Sequence, residues 1–148
     1  MINGSYTLGS EKIDLEKDNN LSKISNFSAL FKKTGIKYIY RSSKKESSLT
    51  LGESAAKKVL SNINEKVESL IFVTQSPTST IPASACILHK NLKLQKECFV
   101  LDVIQGCSGF PYALSLAINL LQTNQFKNCL IVTAETYKKY INKDDRVC

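Results

Sequence analysis

A chain of 148 residues with 43% apolar and 22% charged side chains is long enough for one domain with its own core, and its balance is ordinary for a globular protein. Its formal charge of +7 suits acidic partners such as phosphorylated cofactors or an acidic carrier protein. Nucleic acid and membrane are excluded as expectations: Lys32-Lys33, Lys44-Lys45, Lys57-Lys58 and Lys138-Lys139 are separated pairs rather than a basic run, and no apolar stretch reaches the ~18 residues of a membrane span.

In chain order, Ile2 to Leu8 is a short, glycine-interrupted candidate strand and Ser10 to Ser25 a polar connection. Phe27, Leu30 and Phe31 fall at helical spacing, Thr34-Gly35 is a stop, and Ile36 to Tyr40 alternates as a strand does. After a basic, serine-rich loop from Arg41 to Ser48, a helix is predicted from Leu49 to Ile63 with Leu51, Ala55, Val59 and Leu60 facing inward. Ser69 to Thr74 is continuously apolar, as in a strand buried on both faces.

Gln75 to Ile81 is turn-rich, and Pro82 opens a predicted helix from Ala83 to Leu92, where its missing N–H costs nothing. A strand from Cys98 to Ile104, a helix from Ser108 to about Thr123 and a strand from Cys129 to Ala134 follow, ahead of a polar tail from Glu135 to Cys148. Alternating helices and doubly buried strands predict an α/β fold, a mainly parallel sheet flanked by helices, as one domain over residues 1–148.

Cys107 is the candidate nucleophile. It lies where a buried strand hands over to a buried helix, facing that helix's first free N–H groups and the positive end of its dipole, which favours thiolate over thiol. Gly106 and Gly109 flank the turn and allow close backbone approach, and Pro111 withholds an N–H from the Cys107 carbonyl, so the helix has no earlier start. Against this stands the ordinary role of cysteine as a small buried residue. The other cysteines, Cys86, Cys98, Cys129 and Cys148, lack C-x-x-C spacing, so no metal site is expected. Cys86, Cys98 and Cys129 lie in apolar stretches, so reduced core thiols in a cytoplasmic protein without a signal peptide are expected instead.

The helix after Cys107 carries apolar residues in almost every direction. If half of the aliphatic payload of Leu114, Leu116, Ile118, Leu120 and Leu121 stayed wet, the loss would be on the order of 4–8 kcal/mol. A cover from outside the chain, or a second copy, is therefore expected.

Several stretches resemble the amino-terminal half of β-ketoacyl-acyl-carrier-protein synthase III, a condensing enzyme of the thiolase superfamily. They include Gly4-Ser5-Tyr6, Thr34-Gly35-Ile36, Pro82-Ala83-Ser84-Ala85-Cys86, Asp102-Val103, Gly106-Cys107-Ser108-Gly109-Phe110, Tyr112-Ala113-Leu114, Glu135 and Asp145-Arg146. The resemblance implies a thiolase-like fold, with Cys107 taking an acyl group from acyl-CoA in ping-pong order and malonyl-acyl-carrier-protein as acceptor. It implies the Cys107 N–H as part of an oxyanion hole, Lys33 and Arg146 against the CoA nucleotide, and Phe31 in place of an adenine-stacking tryptophan the chain lacks. It places Ile81 at the acyl pocket of a neighbouring subunit and the strand Cys98 to Ile104 across a homodimer axis. No bound cofactor is implied, the CoA thioester being substrate.

The family's catalytic histidine and asparagine belong to its carboxy-terminal half, and His89, the one histidine, matches neither. The expectation is a fragment, truncated product or split subunit that at best self-acylates slowly, since one oxyanion donor alone is worth ~10²–10³ in rate. Three other readings stand beside it: a specialised relative with an oxygen or nitrogen acceptor, a non-catalytic binding or scaffolding subunit, and a Cys-His protease. The last lacks a histidine placed for it.

Overall fold

Residues 3–17 and 32–140 are described in a computed structural model of the chain, which divides into two compact units, Leu8–Lys45 and Met1–Thr7 with Glu46–Cys148. The helical spacing of Phe27, Leu30 and Phe31 and the tail beyond Tyr140 lie outside the described residues.

The smaller unit holds an antiparallel ribbon of β1 (Glu11–Asp14) and β2 (Tyr38–Arg41), with Lys12 opposite Tyr40 and Asp14 opposite Tyr38. The polar connection expected from Ser10 onward thus contains a strand. Cross-strand contacts compensate for its charged composition, and the Lys12 ammonium stacks 3.9 Å above the Tyr38 ring. Residues 32–34 are helical, and Gly35 ends the turn at φ +67° as the glycine stop predicted.

In the larger unit, the candidate strand before Leu8 forms no ladder over its described residues 3–7. It lies along a helix instead: Ser5 Oγ donates to the Ala55 carbonyl at 2.6 Å and Lys58 Nζ to that of Tyr6 at 2.9 Å. That helix, α1 (Ser48–Leu60), starts at a capping box in which Ser47 and Thr50 exchange side-chain and backbone hydrogen bonds. Its buried residues are Ser48, Leu49, Gly52 and Ala56; of the predicted inward residues Leu60 packs against their core, whereas Leu51, Ala55 and Val59 are only half-buried, and the helix ends before Ile63. The closest approach sets the phase, because a Cβ on Gly52 would lie 2.9 Å from both Phe72 and Val132.

Three parallel strands, β3 (Ser69–Val73), β4 (Phe99–Val103) and β5 (Leu130–Thr133), form a sheet in the order β4-β3-β5. All five residues of β3 are buried. Strand alternation sends Leu70 and Phe72 to one face, where α1 and α2 (Ser84–Asn91) pack through Leu49, Ala56, Ala85 and Leu88. Ile71 and Val73 go to the other face, against Ala113 and Ala117 of α3 (Gly109–Gln122). The result is the expected α/β layering. Full burial of Leu70, Ile71 and Phe72 is worth roughly 5–9 kcal/mol together.

Pro82 stands ahead of α2 rather than at its first position: Ala83 is the N-cap and makes no side-chain cap bond. Glu53 ties α1 to α2, accepting from Lys57 Nζ at 2.6 Å and Asn91 Nδ2 at 2.8 Å, and the Lys57 hydrogen bond holds its carboxyl below the usual value. Among the described residues no helix is long and apolar enough to cross a membrane.

Candidate active site

β4 ends at Val103, and the chain reaches α3 through a single 3-10 turn, Gly106–Ser108, with Cys107 at its centre. Ser108 closes the turn by donating to the Gln105 carbonyl from its N–H at 3.2 Å and its Oγ at 2.7 Å. Each flanking glycine has its own reason. Gly106 sits at φ +55°, a region that penalises a side chain. Gly109 is ordinary helix, but a Cβ there would stand 2.6 Å from Val73 Cγ1, so α3 docks closely on β3 at its first residue. The helix is thereby seated and the Cys107 thiol is left exposed at its entrance.

The strand ends around the turn are cross-linked. Thr74 N–H donates to the Val103 carbonyl at 3.3 Å and Ala134 N–H to that of Val73 at 3.1 Å, so the segments leaving β4, β3 and β5 are tied in series. Beyond those bonds, Glu135 accepts from the Gln75 N–H with one carboxylate oxygen and from Ser76 Oγ, at 2.9 Å, with the other. Ser76 is 2% exposed and also accepts the Thr136 N–H at 2.8 Å, while its carbonyl accepts Ser48 Oγ at 2.6 Å. This places the candidate thiol at the carboxyl ends of parallel strands, the end where open α/β sheets bind ligands.

Of the candidate residues, Cys107 and Ile81 belong to the larger unit, and Lys33, exposed, to the smaller one. Phe31 and Arg146 lie outside the described residues. Ile81 is 91% exposed, immediately before Pro82. His89 Nε2 is 2.8 Å from the Gln95 carbonyl, a local packing contact. Of the cysteines expected in the core, Cys86 is instead exposed on α2 and Cys129 half-buried, while Cys98 is buried and its thiol is pushed up to about 11, first by burial and then by Cys129. Among the described residues no group of three or more histidines, cysteines or carboxylates could hold a metal ion.

Sequence reasoning assigned no role to Gln75 or Glu135. An acid just beyond an apolar strand was the available signal, but its partner lies 60 positions away.

The outer surface of α3 carries an apolar row. Gly109, Ala113 and Ala117 turn inward, and Phe110, Leu114 and Ile118 stand 53%, 43% and 47% exposed. Small residues let the helix lie close to the sheet, and the large ones project away from it.

The family model of 3-oxoacyl-[acyl-carrier-protein (ACP)] synthase III matches residues 101–148, which include the Cys107 turn. A β-ketoacyl-[acyl-carrier-protein] synthase III of Caldanaerobacter subterraneus is 36% identical over 118 residues, 77% of this chain and 35% of that protein. One from Clostridium novyi is 37% identical over 133 residues, 86% of this chain and 40% of its own length. The crystal structure of a 3-oxoacyl-(acyl-carrier protein) synthase from Burkholderia xenovorans matches with a TM-score of 0.86 at 29% identity, covering 97% of this chain and 44% of that one. The chain thus spans less than half the length of these relatives.

Proposed function

The chain is a partial-length relative of the β-ketoacyl-[acyl-carrier-protein] synthase III family with its thiolase-like α/β fold, and from that premise we propose that Cys107 takes an acyl group from acyl-CoA for decarboxylative condensation with malonyl-acyl-carrier-protein in fatty-acid biosynthesis. One observation carries the reading: an exposed cysteine in the single turn that joins the carboxyl end of a parallel strand to a tightly seated helix.

In the first half-reaction Cys107 Sγ bonds to the acyl carbonyl carbon, the bond from that carbon to the CoA sulfur breaks, and the CoA thiolate leaves and takes up a proton. In the second, the malonyl carboxylate departs as carbon dioxide, the resulting carbanion bonds to the acyl carbon, and Cys107 is released as thiolate. The Cys107 N–H serves the oxyanion. The reading needs no bound cofactor or metal ion.

The chain is, in this reading, the amino-terminal domain of a cytoplasmic synthase whose carboxy-terminal half brings the histidine and asparagine of the condensation and covers α3. The exposed apolar row on α3 supports that cover. A homodimer through β4 is supported by its place at the end of the order β4-β3-β5, which leaves its outer side unpaired within that sheet. Ile81, with almost its whole side chain in solvent, suits the acyl pocket of a second copy. Lys33, Phe31 and Arg146 are assigned to the CoA nucleotide on the strength of the sequence resemblance.

Intact-mass spectrometry of the chain after incubation with a panel of acyl-CoAs tests the first half-reaction. The expected result is a single acyl adduct that disappears in Cys107→Ala. No adduct from any donor, with Cys107 still open to a small alkylating agent, would refute acyl acceptance by this chain.

A further inference from the structure

We propose that Glu135 is a positioning residue for the Cys107 thiol, acting through Gln75. The inference rests on Cys107 being the reactive thiol and adds what holds it in place.

Glu135 follows β5, yet both of its carboxylate oxygens are engaged by the loop that follows β3, one by the Gln75 N–H and the other by Ser76 Oγ. The far side of that loop meets the nucleophile turn. A Cβ on Gly106 would be 3.8 Å from Gln75 Oε1, so the Gln75 side chain lines the flank of the residue that precedes Cys107. Glu135, Gln75 and Gly106 therefore form a series across the ends of β5, β3 and β4. The bonds at its first link are charge-assisted and about twice as strong as neutral ones.

Neutral groups already join these loops. Thr136 N–H and Thr136 Oγ1 reach Ser76 Oγ at 2.8 and 3.3 Å, and Ser48 Oγ reaches the Ser76 carbonyl. The carboxylate is an addition on the exposed side, and what it adds is a fixed Gln75 peptide, which sets the point from which the Gln75 side chain leaves toward Gly106. A nucleophile has to meet its substrate within a narrow geometry, and small misplacements of the supporting loop are costly in rate.

The test uses the full 148-residue chain and iodoacetamide, with the alkylation rate of each cysteine read by peptide mass spectrometry. Cys86, exposed on α2, and Cys98, buried, are internal references. Glu135→Gln and Gln75→Ala are each expected to change the Cys107 rate by about fivefold or more, with Cys86 and Cys98 within about twofold, and the double variant is expected to match Gln75→Ala alone, as for two residues on one path. An unchanged Cys107 rate in the single variants would overturn the proposal. So would all three cysteines speeding up together, which is a loosened fold, or a double variant equal to the product of the singles. Failure of the underlying reading is seen separately, in the unmodified chain, as a Cys107 that reacts no faster than Cys86 and takes no acyl group.

Discussion

Asp102 on β4 closes the first turn of α2 through Ala85, whose N–H its Oδ1 accepts at 2.6 Å, while its Oδ2 accepts the N–H of Ser84 at 2.7 Å. The helix's own N-cap, Ala83, has no side chain for the task. Asp102→Ala leaves two first-turn donors without their acceptor, and hydrogen bonds to a charged group are worth about 1.5–3 kcal/mol. The urea midpoint is expected to fall accordingly with an unchanged m-value. An unmoved midpoint would show that α2 is held by its apolar contacts alone.

The two glycines of the turn are expected to fail differently. Gly109→Ala puts a methyl 2.6 Å from Val73 Cγ1 and is expected to cost about 1–3 kcal/mol by overpacking. Adding Val73→Ala should return part of that loss. Gly106→Ala forces an alanine to φ +55°, a cost of about 1–2 kcal/mol that Val73→Ala leaves untouched. Thermal melts of the single and double variants separate the two, and equal responses to Val73→Ala would refute the assignment.

Cys98 makes stability depend on alkaline pH. Its thiol is raised from 9.0 to about 11, by burial first and Cys129 second, so the folded chain holds that proton more tightly than the unfolded chain does. The contribution is fully present below the unfolded value and disappears as pH rises through the folded one. Denaturant midpoints are expected to fall between pH 9 and about 11, with a shallower fall in Cys98→Ala. Parallel curves for the two chains would contradict this account.

The outer row of α3 is expected to govern self-association of the isolated chain. Leu114→Lys with Ile118→Lys should shift light scattering toward smaller species while stability stays within about 0.5 kcal/mol, as for surface sites. Ala113→Lys, at a fully buried position, should prevent folding. A large stability loss in the Leu114 and Ile118 pair would mean that this row is packed within the chain.

The strands of the main sheet were legible because each is a short, mainly apolar run, interrupted in β4 only by Asp102, and β3 is buried over its whole length. The strand-to-helix turn at Cys107 was legible because its determinants are local: a strand end, a glycine, and a proline shortly beyond. β1 was not, because Glu11, Lys12 and Asp14 surround a single Ile13 and only pairing with β2 makes a strand of them. The phase of α1 escaped for a related reason. Hydrophobicity favours Leu51 and Val59 for the inner face, whereas the packing centres on Gly52, where the helix comes nearest to Phe72. Asp102 and Glu135 form their key bonds with residues 17 and 60 positions away, a separation that no local pattern reports.

The alternation of β3 has a last consequence. Leu70 and Phe72 serve the face of α1 and α2, and Ile71 and Val73 serve the face of α3. Both sides of one strand are thereby closely packed, each against its own helices. A change in size at Phe72 is felt by α1, whose Gly52 leaves no room for a Cβ against it, whereas at Val73 it is felt where α3 begins, beside the Cys107 turn. Neighbouring positions in the same five-residue strand thus answer to different helices.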